Sequence, residues 1–423
     1  MISGGVAMER FFVAGGYPIR GALHIDGAKN AILPILGASL LVNGPVILHK
    51  VPELSDVHTM CNILRSLGVE IIADNKSYIL DTSSLHSHAV PDNLMSEMRS
   101  SIFLMGALLG CCGAAKVSYP GGCDIGSRPI DLHLMGLRAL GAEIEEKHGY
   151  IEARAARLVG TEIFLDFPSV GATENIMLAA VKAQGETVIH NAAKEPEIVD
   201  LQKFLNAAGA HVKGAGTDTL IIEGVKSLHQ VEHNVVSDRI VTGTFMLAAA
   251  ITAGEIDLID TNPSHLIPLL FKGKQMGLNI KYGNDFISVK APKRLKQAKQ
   301  IRTSPYPGFP TDLQSPMMVA MTQAYGTGVV IEGIFDGRYN HVNELNKMGA
   351  NIKVNRRTAV ISGKTLLSST LVKATDLRAG AALILAGLVA DGTTIVDDIH
   401  HIDRGYSSIE KQLSSLGAHI ERK

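Results

Sequence analysis

Small and apolar residues gather along the chain into six stretches, at residues 31–42, 102–109, 175–183, 244–253, 316–325 and 379–390. Each is apolar nearly all round, which predicts a helix buried on every side rather than one with a solvated face. Their alanines and glycines let neighbouring helices approach closely. Short β-branched runs follow, such as Thr187-Val188-Ile189 and Thr393-Thr394-Ile395-Val396, and read as strands. A second helix then ends each time in the same phrase, an apolar residue, glycine and a small or apolar residue. The phrase recurs at Gly68, Gly141, Gly209, Gly277, Gly349 and Gly417, spaced by 73, 68, 68, 72 and 68 residues. Glycine after a helix predicts a left-handed cap that leads into the next strand.

A fixed period of this kind is a structural repeat. Each unit reads as helix, strand, loop, helix, strand, strand. Units of about 70 residues are longer than those of common solenoids, so six of them are expected to close into two globular groups of three. The length of 423 residues also exceeds one ordinary domain.

Composition adds mainly exclusions. Lys+Arg is 40 and Asp+Glu is 41, so no global field draws the chain to nucleic acid or to a membrane surface. Any anionic ligand has to be gripped by local cations. The longest apolar runs, 31–42 and 101–115, are too short to span a bilayer. Residues 1–12 lack a signal-peptide pattern. The four cysteines, Cys61, Cys111, Cys112 and Cys123, form no CxxC pair and no zinc-like spacing. No metal site and no disulfide framework are expected, and the location expected is cytoplasmic.

The candidate chemistry lies in polar phrases between the repeated elements. They are Gly27-Ala28-Lys29-Asn30, Met98-Arg99-Ser100-Ser101, the ten residues from Pro120 to Pro129, Pro168-Ser169-Val170-Gly171-Ala172-Thr173, Phe309-Pro310-Thr311-Asp312, Thr375-Asp376-Leu377-Arg378 and the six residues from His401 to Tyr406. Five of these seven carry a Lys or Arg on a chain with no net positive charge. Cations at loop–helix junctions suit a phosphate or carboxylate, because helix N-termini add N–H donors. Cys123 lies in a glycine-rich loop five residues before Arg128, and a nearby cation favours thiolate. Asp312 reads equally as a helix N-cap or as a general base.

Taken together, Gly-Ala-Lys-Asn at 27–30, Pro-Gly-Gly-Cys at 120–123, Ser-Val-Gly-Ala-Thr at 169–173, Glu-Pro-Glu-Ile-Val-Asp at 195–200, Phe-Pro-Thr-Asp at 309–312 and His-Ile-Asp-Arg-Gly-Tyr at 401–406 resemble the enolpyruvyl transferase family. Within it they resemble the branch that acts on UDP-N-acetylglucosamine, at the first committed step of peptidoglycan synthesis. The likeness runs from about residue 11 to residue 423. It implies an α/β fold of two inside-out domains, each a threefold repeat, with residues 29–236 in one and 1–28 with 237–423 in the other. It also implies an active site in the cleft between them.

The resemblance further implies that the enolpyruvyl group of phosphoenolpyruvate passes to the sugar 3-hydroxyl, with no metal or organic cofactor. Cys123 would protonate the methylene carbon and Asp312 would help take the hydroxyl proton. Lys29, Arg99, Arg128 and Arg404 would surround the phosphate, Lys29 and Arg404 counting among the catalytic groups. Arg378 would help hold the carboxylate, and Asn30 and Arg338 would line the same cleft. The nucleotide-sugar would contact Arg99, Arg128, Pro129, Ile130, Asp131, Leu132, Ser169, Val170, Gly171, Asp312, Ile334 and Arg338. Cys123 would also be the residue alkylated by the epoxide fosfomycin. Two alternatives stand beside this reading: the sister branch that uses shikimate 3-phosphate, and a catalytically silent paralogue with a regulatory role. The Gly-Gly-Cys and Ser-Val-Gly-Ala-Thr phrases belong to the nucleotide-sugar branch.

Overall fold

The six apolar stretches are helices in the computed structural model, which describes residues 9–97, 102–119 and 130–423. They are Lys29–Ala38, Leu104–Cys112, Val170–Ala180, Arg239–Ile251, Gln314–Thr322 and Leu377–Gly387. Two begin five residues before the apolar pattern does, at Val170 rather than 175 and at Arg239 rather than 244. The cause is capping. Ser169 accepts from Ala172 N, and Asp238 accepts from Ile240 N and Val241 N, so the polar first turns are helical as well.

All six terminal glycines adopt the left-handed conformation, with φ between 91° and 108°. Each makes the same pair of hydrogen bonds. Gly68 N donates to Arg65 O and Val69 N to Leu64 O, and the pattern repeats through Gly417 N to Ser414 O and Ala418 N to Leu413 O. This double closure satisfies helix carbonyls that would otherwise be orphaned, and only glycine takes the required φ without strain.

Six sheets are formed among the described residues. Five share one order: a parallel edge strand, a central strand, and two antiparallel strands, which in four of the five close as a hairpin. Glu162–Phe164, Glu186–His190, Thr219–Glu223 and His211–Lys213 are one example. In the sixth, Ala114–Ser118 pairs with Tyr150–Arg154, which pairs with Glu143–Lys147. There the parallel edge strand shrinks to a single bridge from Ala89 to Lys116. Strand residues alternate between faces. In Thr219–Glu223, Leu220 and Ile222 are fully buried while Ile221 and Glu223 are exposed. The buried faces pack on the apolar helices, so helices form the centre of each repeat group and sheets its outside.

The described residues divide into two units, residues 26–236 and residues 9–25 with Ser237–Lys423. Each has its own apolar core. The second unit is closed by its N-terminal strands. Phe11–Ala14 runs antiparallel to both Thr393–Asp397 and His419–Arg422, and Arg20–His24 runs parallel to Glu255–Ile259. Close helix packing shows at Gly106, where a Cβ would fall 2.0 Å from the carbonyl oxygen of Asn175.

Candidate functional site

In the unit of residues 26–236, the polar phrases stand at the start of the buried helices. Lys29 is the first residue of Lys29–Ala38, and its Nζ lies 2.6 Å from Asp56 Oδ2. Both side chains are buried, while Asn30 beside them is exposed. Asp56 comes from the first turn of Ser55–Leu67, where a carboxylate also suits the helix dipole. Ser169, Val170 and Gly171 are half-buried and form the cap and first turn of Val170–Ala180. Ile130 precedes Asp131–Ala139, with Asp131 exposed and Leu132 half-buried.

One buried histidine joins these segments. His133 stands against Gly171, where a Cβ would meet its Cε1 at 3.0 Å. Asn175 Nδ2 donates to His133 Nδ1 at 3.0 Å and to Ile102 O at 3.2 Å. Asn175 Oδ1 accepts from Gly106 N at 2.6 Å. Burial lowers the His133 pKa to about 4, with Asp131 pulling weakly the other way. The ring is therefore neutral at pH 7. With Nδ1 accepting, its proton sits on Nε2, 3.3 Å from where a Gly171 Cβ would be.

In the other unit the convergence is ionic. Asp312 lies in the turn Thr311–Leu313 ahead of Gln314–Thr322. The capping residues of this turn and helix are Pro310 and Leu313, so capping is not what holds Asp312 in place. Its Oδ1 accepts from Arg338 Nη2 at 2.5 Å and its Oδ2 from Arg378 Nη2 at 3.0 Å. The arginines are only 4% and 3% exposed. Arg378 opens Leu377–Gly387, whose N-terminus is capped by Asp376. Its guanidinium lies over the Tyr406 ring at 5.5 Å, and the Tyr406 hydroxyl is 2.9 Å from that of Thr244. Burial alone would weaken the Arg378 cation, but Asp312, then Tyr406 and Asp238, outweigh it and push its pKa up. Arg378 Nη1 and Arg338 Nε are buried without an acceptor among the described residues.

Ile334 is half-buried and ordered by Glu332, a fully buried carboxylate that accepts from Ile334 N at 2.8 Å and from Thr311 Oγ1 at 3.1 Å. One acidic residue thus ties the Ile334 segment to the turn that carries Asp312. Arg404 is half-buried just after His400–Asp403. Cys123, Arg99, Arg128 and Pro129 lie outside the described residues. Among the described residues no three His, Cys, Asp or Glu side chains converge as metal ligands, and no helix is long and apolar enough to cross a membrane.

Known proteins resemble this chain along nearly its whole length. The pattern of the EPSP synthase (3-phosphoshikimate 1-carboxyvinyltransferase) family matches residues 13–413. UDP-N-acetylglucosamine 1-carboxyvinyltransferase 2 of Caldanaerobacter subterraneus is 52% identical over 98% of this chain and 100% of its own length. The chain belongs to the enolpyruvyl transferase family. Form 1 of the same enzyme from the same organism is 51% identical over 98% of this chain and 99% of its own, so overall identity does not separate the two forms. The enolpyruvyl transferase NikO from Streptomyces tendae superposes with a TM-score of 0.89 at 23% identity, over 98% of this chain and 99% of its own. EPSP synthase from Acinetobacter baumannii gives 0.74 at 20% identity, over 98% and 100%. These structures share the fold of this chain.

Sequence reasoning missed several residues of this enolpyruvyl transferase that hold the site phrases in place. Asp56, His133, Asn175 and Glu332 lie outside every quoted phrase. The one available signal was an acidic, amide or imidazole side chain inside an otherwise apolar stretch, which has to find a buried partner. Tyr406 lay within a quoted phrase, but its role under Arg378 is visible only in three dimensions.

Proposed function

We propose that the chain transfers the enolpyruvyl group of phosphoenolpyruvate to the 3-hydroxyl of UDP-N-acetylglucosamine and releases phosphate, in the cytoplasm, as a step of peptidoglycan synthesis. Near-full-length relatives at about half identity carry the name of that enzyme. The observation that carries the reading is Asp312, on which, among the described residues, two almost fully buried arginines converge. Their remaining buried N–H groups are ready for an anion.

The reaction passes through addition and then elimination. Asp312 helps remove the proton from the sugar hydroxyl while that oxygen attacks the central carbon of phosphoenolpyruvate. Cys123 delivers a proton to the methylene carbon. A base of the site then takes a methyl proton from the tetrahedral adduct, its electron pair re-forms the carbon–carbon double bond, and the carbon–oxygen bond to phosphate breaks. Lys29, Arg99, Arg128 and Arg404 compensate the phosphate charge, and Arg378 holds the carboxylate. Charge-assisted contacts of this kind are strongest where water is excluded. The stretch from Ile130 to Leu132 and Ser169 to Gly171, braced by neutral His133, supplies contacts to the nucleotide-sugar.

Phosphate release tests the proposal, measured with phosphoenolpyruvate and either UDP-N-acetylglucosamine or shikimate 3-phosphate. Release with the nucleotide-sugar alone is expected. Release with shikimate 3-phosphate alone would move the chain to the sister branch, and release with neither would mark a silent paralogue.

A further inference from the structure

Away from the residues assigned to the reaction, two nucleophilic side chains stand together. Cys111 and Cys112 are the last residues of the helix Leu104–Cys112, which ends on Gly113 at φ 69°. Their Sγ atoms are 3.3 Å apart. Cys111 is half-buried, Cys112 is exposed, and both are free thiols. Lys182 brings positive charge to Cys111, and its stem runs along the same helix end, where a Cβ on Gly110 would meet Lys182 Cγ at 3.1 Å.

The pair is poorly shaped for a disulfide. Adjacent Cα atoms are about 3.8 Å apart across a trans peptide. Disulfides usually span about 4.4–6.8 Å, so closing one here would unwind the helix end. A single bridging atom fits better. Two bonds of about 2.3 Å, the length for sulfur on a soft ion, put the sulfurs about 3.3 Å apart when they meet near a right angle. A tetrahedral ion would need a wider bite and two more ligands, and no third His, Cys, Asp or Glu joins the pair among the described residues. A pyramidal trivalent centre needs only the two sulfurs and the substituent it already carries.

We propose that Cys111 and Cys112 form a dithiol site for trivalent, thiophilic metalloids of the arsenite class. Each thiol gives up its proton, each sulfur replaces one hydroxide on the metalloid, and two waters leave. The metalloid stays trivalent and no electrons move. The hydrogen bond from Cys111 lowers the Cys112 thiol, against a smaller opposing effect of burial, and so prepares the first thiolate. The helix rises about 12 Å between Leu104 and the pair, which separates the dithiol from the end where Ile102 meets Asn175.

Phenylarsine oxide is the probe. The full chain should retain one arsenic per molecule through a large excess of glutathione and release it to dimercaptopropanol. Cys111→Ser and Cys112→Ser should each weaken retention at least tenfold, whereas Cys61→Ser and Cys123→Ser should leave it unchanged. Cys112 is exposed, so Cys112→Ser keeps the fold and decides the matter even if Cys111→Ser proves unstable. Retention that survives Cys112→Ser overturns the site, as does binding to the unaltered chain that glutathione removes as easily as it does from either variant.

Discussion

Arg378 donates to one oxygen of Asp312 across 66 residues of sequence, while Arg338 takes the other oxygen. This pairing changes what Asp312→Asn should do. A simple cap would tolerate the change, because asparagine caps well. Here the substitution leaves two buried guanidinium groups without their carboxylate. Breaking a buried pair costs roughly 3–5 kcal/mol, toward the lower end here because Asp312 is 26% exposed. Turnover should fall by about a hundredfold or more. Both are expected together, so rates have to be taken well below the variant's melting temperature. Near-normal turnover would leave Asp312 only the task of holding the arginines.

Lys29 and Asp56 allow a cleaner separation. Lys29→Ala removes the cation from a carboxylate that is 4% exposed, and the melting temperature should drop. Adding Asp56→Asn should restore most of that stability. Phosphoenolpyruvate use should stay impaired in the double variant, since no cation returns to the phosphate. Activity that recovers together with stability would show Lys29 to be structural.

The six terminal glycines were legible in the sequence, because a left-handed cap has one chemical solution and repeats at a fixed distance. The helix starts were less so. Thr173, Glu174 and Asn175 look like a polar break, yet all three are buried inside a helix. Their partners lie far away in sequence, as with Asn175 and His133 at a separation of 42, and no local pattern encodes such pairs. The parallel edge strands were also hidden. Glu162–Phe164, Gln300–Arg302 and Leu371–Lys373 have three residues each, too short for an alternation to be read.

Asn175 should behave as a positioning residue. Asn175→Leu is close in volume but removes its bonds to Gly106 N, Ile102 O and His133 Nδ1. Leaving buried groups unpaired costs about 1–3 kcal/mol each. The KM for UDP-N-acetylglucosamine should rise more than kcat falls, because His133 loses the bond that fixes its tautomer beside Gly171. A destabilised variant with unchanged KM would confine Asn175 to helix packing.

Buried titratable groups should make stability depend on pH in two opposing directions. His133 and His341 are held down at about 4 by burial, against an ordinary value of 6.5. Their neutral forms are favoured in the folded chain, so the stability linked to them is complete above pH 6.5 and lost as pH falls toward 4. The loss approaches about 3 kcal/mol per histidine. Glu174 is the opposite case. Burial first, then Glu197 and Glu195, raise its pKa well above the usual range. Its contribution is complete in acid and lost as pH rises through the elevated value. Melting curves across pH should show His133→Gln reducing the loss of stability as pH falls and Glu174→Gln reducing the loss as pH rises. A Glu174→Gln variant that loses as much stability with rising pH as the unaltered chain would refute the carboxyl assignment.

Fosfomycin should mark one cysteine. Burial raises the Cys61 thiol to about 11, and Cys111 is raised by its hydrogen bond to Cys112 and by burial. Cys112 is the real competitor, being exposed and lowered. Peptide mapping after treatment is expected to find the adduct on Cys123, and Cys123→Asp should resist the drug. An adduct on Cys112 would remove the general-acid assignment.

The strand Phe11–Ala14 lies between the last two strands of its sheet, Thr393–Asp397 and His419–Arg422. On the ribosome this imposes an order of events. The unit of residues 26–236 can finish folding while the rest of the chain is still being made. The other unit cannot complete the pairing of its first strand until the final residues emerge. Nascent chains released short of residue 419 should therefore carry one protease-resistant half and one that is digested, although almost the whole sequence is present.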